Sequence, residues 1–314
     1  MEPKQAGGVS PLFPTQFQEA LAEYERECVL AGLRPTTIKN RRQHLPTLLK
    51  FLHQAGVEDL CHVRAVHLSD FLLAQCHHRV HTVAMIASIT RCFLRFLHRR
   101  GILADDLTAA IPKVYVRNYT KIPAIWTEEQ VEKLLAQVDR GCPQGKRDYA
   151  ILLLAVRLGM RVGDIVQLRL EHLRWEEGRI ELPQAKTRQP LVLPLTEEMG
   201  WALIDYLRHG RPAVSHREVF LSCQSPFPPF VRTENLMYIV SKYRRRAGIF
   251  MPHGQKTGMH SLRHTLASRL LNEGTPLPTI ADILGHASSE SARVYTKVDL
   301  VRLRACAIDP DEGV

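Results

Sequence analysis

The chain has no C-x-x-C pair. Its seven cysteines stand apart at positions 28, 61, 76, 92, 142, 223 and 306. That scatter argues against a disulfide scaffold and for reduced thiols in a cytoplasmic setting. No uninterrupted apolar run approaches the ~20 residues a membrane span needs. No signal peptide is read, because Met1-Glu2-Pro3-Lys4 leads into a Gly/Pro-containing start and not an apolar core. Carboxylates spaced to hold a catalytic metal are missing, so no metal cofactor is expected. Cys76, His77, His78 and His81 are metal-ligating types, but their adjacency does not match zinc spacing and no second pair follows. There is no internal repeat and no low-complexity segment.

What is present suits an ordinary folded protein. The 314 residues suggest two domains, and 45% apolar residues can fill their cores. The net charge of +10 suits a polyanionic partner. Residues 1–124 hold 16 Lys/Arg against 10 Asp/Glu, a balance of +6, and the remainder carries +4. Both parts are therefore candidates for contact with DNA.

Periodicity organises the chain. Residues 1–14 show none and read as a loose tail. Over 15–110 the pattern is helical: Phe17, Ala20, Leu21 and Tyr24 recur at i, i+3, i+4 and i+7. Leu48 to Leu52, Phe71 to Leu73, and Ile86 to Leu97 mark three further helices, the last ended by Gly101. Residues 111–126 read as a basic linker, with Lys113, Arg117 and Lys121 between apolar and aromatic residues. The second domain, 127–314, opens on a capping-box pair, Thr127 with Gln130. An apolar helix is expected from about Arg147 to Leu158. Residues 179–194 alternate enough for two or three short strands, and helices resume near 196–209, 234–247, 261–273 and 277–285.

Arg161, Lys186, His260, Arg263 and Tyr295, with His286 as a sixth, make a set for phosphoryl transfer onto a tyrosine. Two arginines can hold and neutralise one phosphate, since the guanidinium fork suits two phosphate oxygens. A lysine and a histidine can move protons. A tyrosine can attack, although its unperturbed pKa near 10 makes it a weak nucleophile without help. Together these residues point to breaking and rejoining a nucleic-acid strand through a covalent enzyme intermediate. Arg161 follows Gly159, which can end the preceding helix in a left-handed turn. Asp164 could orient that guanidinium as a bidentate carboxylate. His260 and Arg263 stand at i and i+3 near a helix start, on one face. His264 beside them reads as structural. His286 follows Gly285 at a helix end. Lys186 lies at a polar tip between two strand-like runs, and Arg188, two residues on, is its rival. The other candidates for DNA contact are Lys39, Arg41 and Arg42 in the helical region, and Lys242, Arg244 and Arg245 in a cluster ending a helix.

The stretches Gly159-Met160-Arg161-Val162-Gly163-Asp164, His260-Ser261-Leu262-Arg263-His264-Thr265 and Leu284-Gly285-His286, with Tyr295 nine residues later, resemble the tyrosine recombinases of the phage integrase family. The likeness is specific from about Trp126 onward. Lys-Thr at 186–187 matches the family's hairpin motif more closely than Arg188 does, whereas Asp164 stands where the family more often has glutamate. The resemblance implies a mainly helical fold with a small β-sheet. A helical, SAM-like core-binding domain and a mixed catalytic domain would form a C-shaped clamp on DNA. It implies attack by Tyr295, a 3′-phosphotyrosine, a free 5′-hydroxyl, and tetramers acting on two specific sites without ATP or metal. Integration, excision or transposition of a mobile element is favoured over chromosome-dimer resolution. The alternatives are an enzyme like a type IB topoisomerase or a hairpin resolvase, and a non-catalytic DNA-binding accessory on the same fold.

Overall fold

A computed structural model describes residues 13–116, 124–186, 189–230, 234–251 and 257–285. The chain divides into two compact units, Met1–Asn118 and Tyr119–Val314.

The first unit is helical, with no strand among its described residues. It contains α1 (Thr15–Leu30), α2 (Pro35–Gln54), α3 (Ala65–Ala74) and α4 (Val80–Arg99). The apolar face of α1 continues past Tyr24 to Cys28, and Phe17, Ala20, Tyr24 and Cys28 are all buried. Tyr24 meets Phe93 edge-on at 5.2 Å and Phe96 at 5.1 Å, which locks α1 onto α4 through aromatic pairs. By length and apolar composition α4 passes the test for a membrane span, unlike any uninterrupted run in the sequence. Half of it is instead buried inside the unit, because Ile86, Ile89, Phe93, Phe96 and Leu97 form its core stripe. Ile111, at the start of the expected linker, is buried in this same core.

In the second unit the capping box at Thr127–Gln130 opens α5 (Glu128–Ala136). The next helix, α6, runs Pro143–Arg157. It begins four residues before the expected Arg147, because Pro143 sits at its first turn, where a missing N–H costs nothing. Ile151, Leu152, Leu153, Leu154 and Ala155 are fully buried, so α6 is the central strut. Truncating such a leucine to alanine typically costs ~2–5 kcal/mol. A five-residue helix, α7 (Val162–Val166), follows directly after Arg161, where the sequence suggested only a turn. Three antiparallel strands come next, in the order β1 (Leu173–Arg174), β2 (Arg179–Pro183) and β3 (Pro190–Pro194). Ile180 pairs with Leu193 and Leu182 with Leu191, so all four side chains share the buried face. The helices α8 (Glu197–His209), α9 (Glu234–Arg246), α10 (Met259–Asn272) and α11 (Leu277–Ile283) complete the unit.

One buried polar network was not legible in the sequence. Arg147 and Asp148 lie on α6, the first 5% and the second 0% exposed. Asp148 Oδ1 accepts from Arg147 Nε and Nη2, and Oδ2 accepts from the Tyr243 hydroxyl at 3.0 Å. Each polar group therefore has a partner, which a buried pair requires.

Candidate active site

Trp126 fixes the beginning of the second unit to α10. Its backbone N–H donates to Thr265 Oγ1 at 2.9 Å, and its indole N–H donates to Ser261 Oγ at 2.8 Å. The first turns of α10, which carry His260 and Arg263, are held in place by these bonds. His260 and Arg263 share a helix face but not an environment. His260 is exposed at the helix start, whereas Arg263 is 2% exposed. The His264 ring meets the His260 ring edge-on at 4.6 Å.

Arg263 is held by backbone oxygens. Nη1 donates to the Gly159 carbonyl at 2.6 Å and Nη2 to the Leu284 carbonyl at 2.5 Å. Gly159 has φ +59° at the end of α6, and a Cβ there would lie 2.9 Å from Leu284 Cδ2 and 3.0 Å from Leu266 Cδ2. Glycine is needed at this turn for both its dihedral freedom and its small size. Two residues on, Arg161 Nη2 donates to the Gly285 carbonyl at 2.9 Å. Both guanidiniums thus converge on the last backbone groups before position 286.

Asp164 does something different from what its position suggested. It is fully buried, and its Oδ2 stays 4.0 Å from Arg161 Nη1 instead of forming a bidentate fork. Its Oδ1 accepts from the Ala185 backbone N–H at 2.7 Å. The carboxylate therefore ties the tip of the β2–β3 hairpin to the Arg161 turn. Burial pushes its carboxyl above the usual carboxylate range, against the lowering influence of the Ala185 N–H and the Arg161 and Arg263 guanidiniums. Lys186, next after Ala185, is exposed. The structure thus gathers Arg161, Asp164, the Lys186 hairpin, Arg263 and the approach to position 286 around one backbone junction. His286, Tyr295 and Arg188 lie outside the described residues, as do Arg117 and Lys121.

The remaining basic candidates fall into two groups. Lys39 and Lys113 are exposed. The others already serve contacts within their own unit. Arg41 Nη1 donates to Cys28 Sγ at 2.9 Å and its guanidinium stacks over Tyr24. Arg42 binds both oxygens of Glu25. Lys242 reaches Asp148 at 3.5 Å, Arg244 donates to the Ile249 carbonyl and Arg245 to the Ser241 carbonyl. Among the described residues, no group of three or more His, Cys, Asp or Glu could hold a metal ion.

Residues to which the sequence reading gave no role of their own are Gln184, Leu284 and Gly285, whose backbone or side chains line the junction. Glycine before His286 was a visible signal, but carbonyls that receive arginines leave no mark in a sequence.

Residues 125–301 match the Phage integrase family. A protein of Sinorhizobium fredii named as an integrase/recombinase, y4rA, is 34% identical over 297 residues, covering 94% of this chain and 71% of that protein. Tyrosine recombinase XerD of Xanthomonas axonopodis pv. citri is 30% identical over 276 residues, covering 85% of this chain and 88% of XerD. The crystal structure of XerH site-specific recombinase bound to palindromic difH substrate, a post-cleavage complex, has the same fold. Its TM-score is 0.72 at 20% identity, covering 95% of this chain and 90% of that one.

Proposed function

Since this chain belongs to the phage integrase family and is a tyrosine-type site-specific recombinase, we propose that it cuts and rejoins duplex DNA through a 3′-phosphotyrosine on Tyr295. The Tyr295 oxygen attacks the scissile phosphorus while the bond from phosphorus to the 5′-oxygen breaks. The phenol proton passes to His260, and Lys186 gives a proton to the departing 5′-oxygen. Arg161 and Arg263 neutralise the phosphate, and His286 donates to a non-bridging oxygen. The freed 5′-hydroxyl then attacks the phosphotyrosine of a partner strand, so the bond energy is kept.

The observation that carries this reading is how the two arginines are held. Their anchors are the neutral carbonyls of Gly159, Leu284 and Gly285. These carbonyls fix the position of both guanidiniums, with Asp164 Oδ2 4.0 Å from Arg161 Nη1, and two guanidiniums fixed at one junction can neutralise one phosphate. The chain then runs from Gly285 directly into His286 and on to Tyr295.

The substrate is duplex DNA with paired recombination sites, gripped by both units and joined by a homotetramer. Integration, excision or transposition of a mobile element is the proposed role, in keeping with 34% identity to a protein named as an integrase/recombinase against 30% to XerD. A recombination assay comparing element ends with the chromosome's dimer-resolution site tests that role directly.

A nicked suicide substrate tests the chemistry. Wild type should accumulate a covalent protein–DNA adduct, in excess EDTA as well as without it, and Tyr295→Phe should bind DNA normally and form none. An adduct in Tyr295→Phe would mean that another residue attacks. Loss of the wild-type adduct in EDTA, restored by Mg²⁺, would overturn the metal-free mechanism.

A further inference from the structure

Gln184 occupies a place that core packing does not explain. Side chains along a strand alternate between faces. Ile180 and Leu182 are buried on β2, and the same period sends residue 184 inward. An apolar side chain is the ordinary occupant of such a position, yet this one is a glutamine, 2% exposed.

Its side chain ends on Gly285. A Cβ on Gly285 would fall 1.6 Å from Gln184 Nε2 and 2.8 Å from Cδ, with Leu191 Cδ1 of β3 behind at 3.2 Å. Gly285 has φ +59°, and its carbonyl receives Arg161. The Gln184 carboxamide therefore rests directly on the backbone that anchors the phosphate clamp. On the other side, Ala185 is tied to Asp164. The Gln184 N–H donates to the Gln189 carbonyl at 2.9 Å, closing the hairpin neck. The tip that carries Lys186 is thus seated at two points, Asp164 on one flank and Gly285 on the other.

We infer that Gln184 is a positioning residue for Lys186: its carboxamide, wedged on Gly285, sets how far the hairpin lysine reaches toward the scissile phosphate. The inference rests on the reading of Lys186 as the proton donor. An error of about 1 Å in such a placement can cost on the order of a hundredfold in rate. A hairpin that keeps its Asp164 tie should lose less.

The test measures cleavage of nicked DNA with an ordinary 5′-bridging oxygen and with sulfur in its place. Sulfur departs as a thiolate and needs no proton, so it relieves a misplaced donor but not a damaged fold. Gln184→Ala should bind DNA as wild type does and cleave the ordinary substrate roughly tenfold more slowly. With sulfur it should come within about threefold of wild type, alongside Lys186→Ala. Gln184→Asn retracts the same amide by one methylene and keeps the position polar, so it tests reach even if the alanine variant does not fold. It should fall between. An unchanged ordinary rate in both variants would overturn the inference. So would an equal deficit on both substrates while Lys186→Ala is rescued. If Lys186→Ala itself gains nothing from sulfur, the donor assignment fails, and the inference fails with it; that outcome is read from the lysine variant alone.

Discussion

Three arginines of the helical unit and the two site arginines of the second unit are held in different ways. In the helical unit Arg42, Arg99 and Arg100 pair with glutamates of α1: Arg42 with Glu25 at 2.7 Å, Arg99 with Glu27, and Arg100 with Glu23. These pairs are at least partly exposed, so each contributes only about 0–1 kcal/mol and weakens with salt. In the second unit Arg161 and Arg263 take backbone carbonyls. The first arrangement pairs charge with charge on the surface, and the second fixes a guanidinium's position through neutral oxygens. The +6 balance of residues 1–124 already subtracts these glutamates, but it does not say which cations stand beside an acid. Two guanidiniums fixed at one junction, Arg263 buried and Arg161 partly buried, say more about function than a longer roll of surface arginines.

The strongest blow to this contrast would be tolerance of Arg263→Ala. It should lower the cleavage rate by about 10²–10³-fold, as removal of a preorganised charge donor does. It should also lower the melting temperature, because the Gly159 and Leu284 carbonyls lose their donor at a cost of ~1–3 kcal/mol each if left unsatisfied. Arg263→Lys should remain poor, since one ammonium does not reproduce a fork across two carbonyls. Single-turnover cleavage and thermal melting check both effects.

On the helical unit the contrast can be sharpened by salt dependence. Lys39, exposed on α2, makes no ion pair among the described residues. Lys39→Ala should reduce the slope of log K against log salt by up to about 0.9 if it meets a phosphate. Arg42→Ala should change it by much less, because Glu25 already holds that charge. Equal changes from the two substitutions would show that the Glu25 pair opens on DNA, and the contrast would then hold only for the free protein.

The smallest effect concerns Asp164. Its carboxyl titrates higher in the folded chain than in the unfolded one. Its titration therefore favours the fold at low pH, and that contribution fades as pH rises through the folded value. Asp164→Asn should remove this slope from stability measured as pH rises above the ordinary aspartate pKa of about 3.9. A mutant with an unchanged slope would place the buried proton uptake elsewhere.

Much of the architecture could be read before folding. The apolar spacing of α1 and α4, the Thr127–Gln130 capping box and the alternation of Ile180, Leu182, Leu191 and Leu193 are local patterns, and each appears in the structure. The earlier start of α6 was also legible in principle, because Pro143 is a local helix-start signal. The ordered set of arginines, histidines and tyrosine pointed to the family that residues 125–301 match.

Electrostatic partners were a different matter. Asp164 looked like a bidentate partner for Arg161, three residues away, and instead accepts from Ala185 on a distant hairpin. Lys242 looked like a helix-end cation and instead reaches Asp148 on α6. By itself the sequence determined the helices, the hairpin and the chemical types at the site, because dihedral preference and periodicity act over a few neighbouring residues. Only the tertiary structure decided which oxygen each guanidinium and carboxylate meets. Those distances join residues as far apart as 161 and 285, and they exist only once the core has packed.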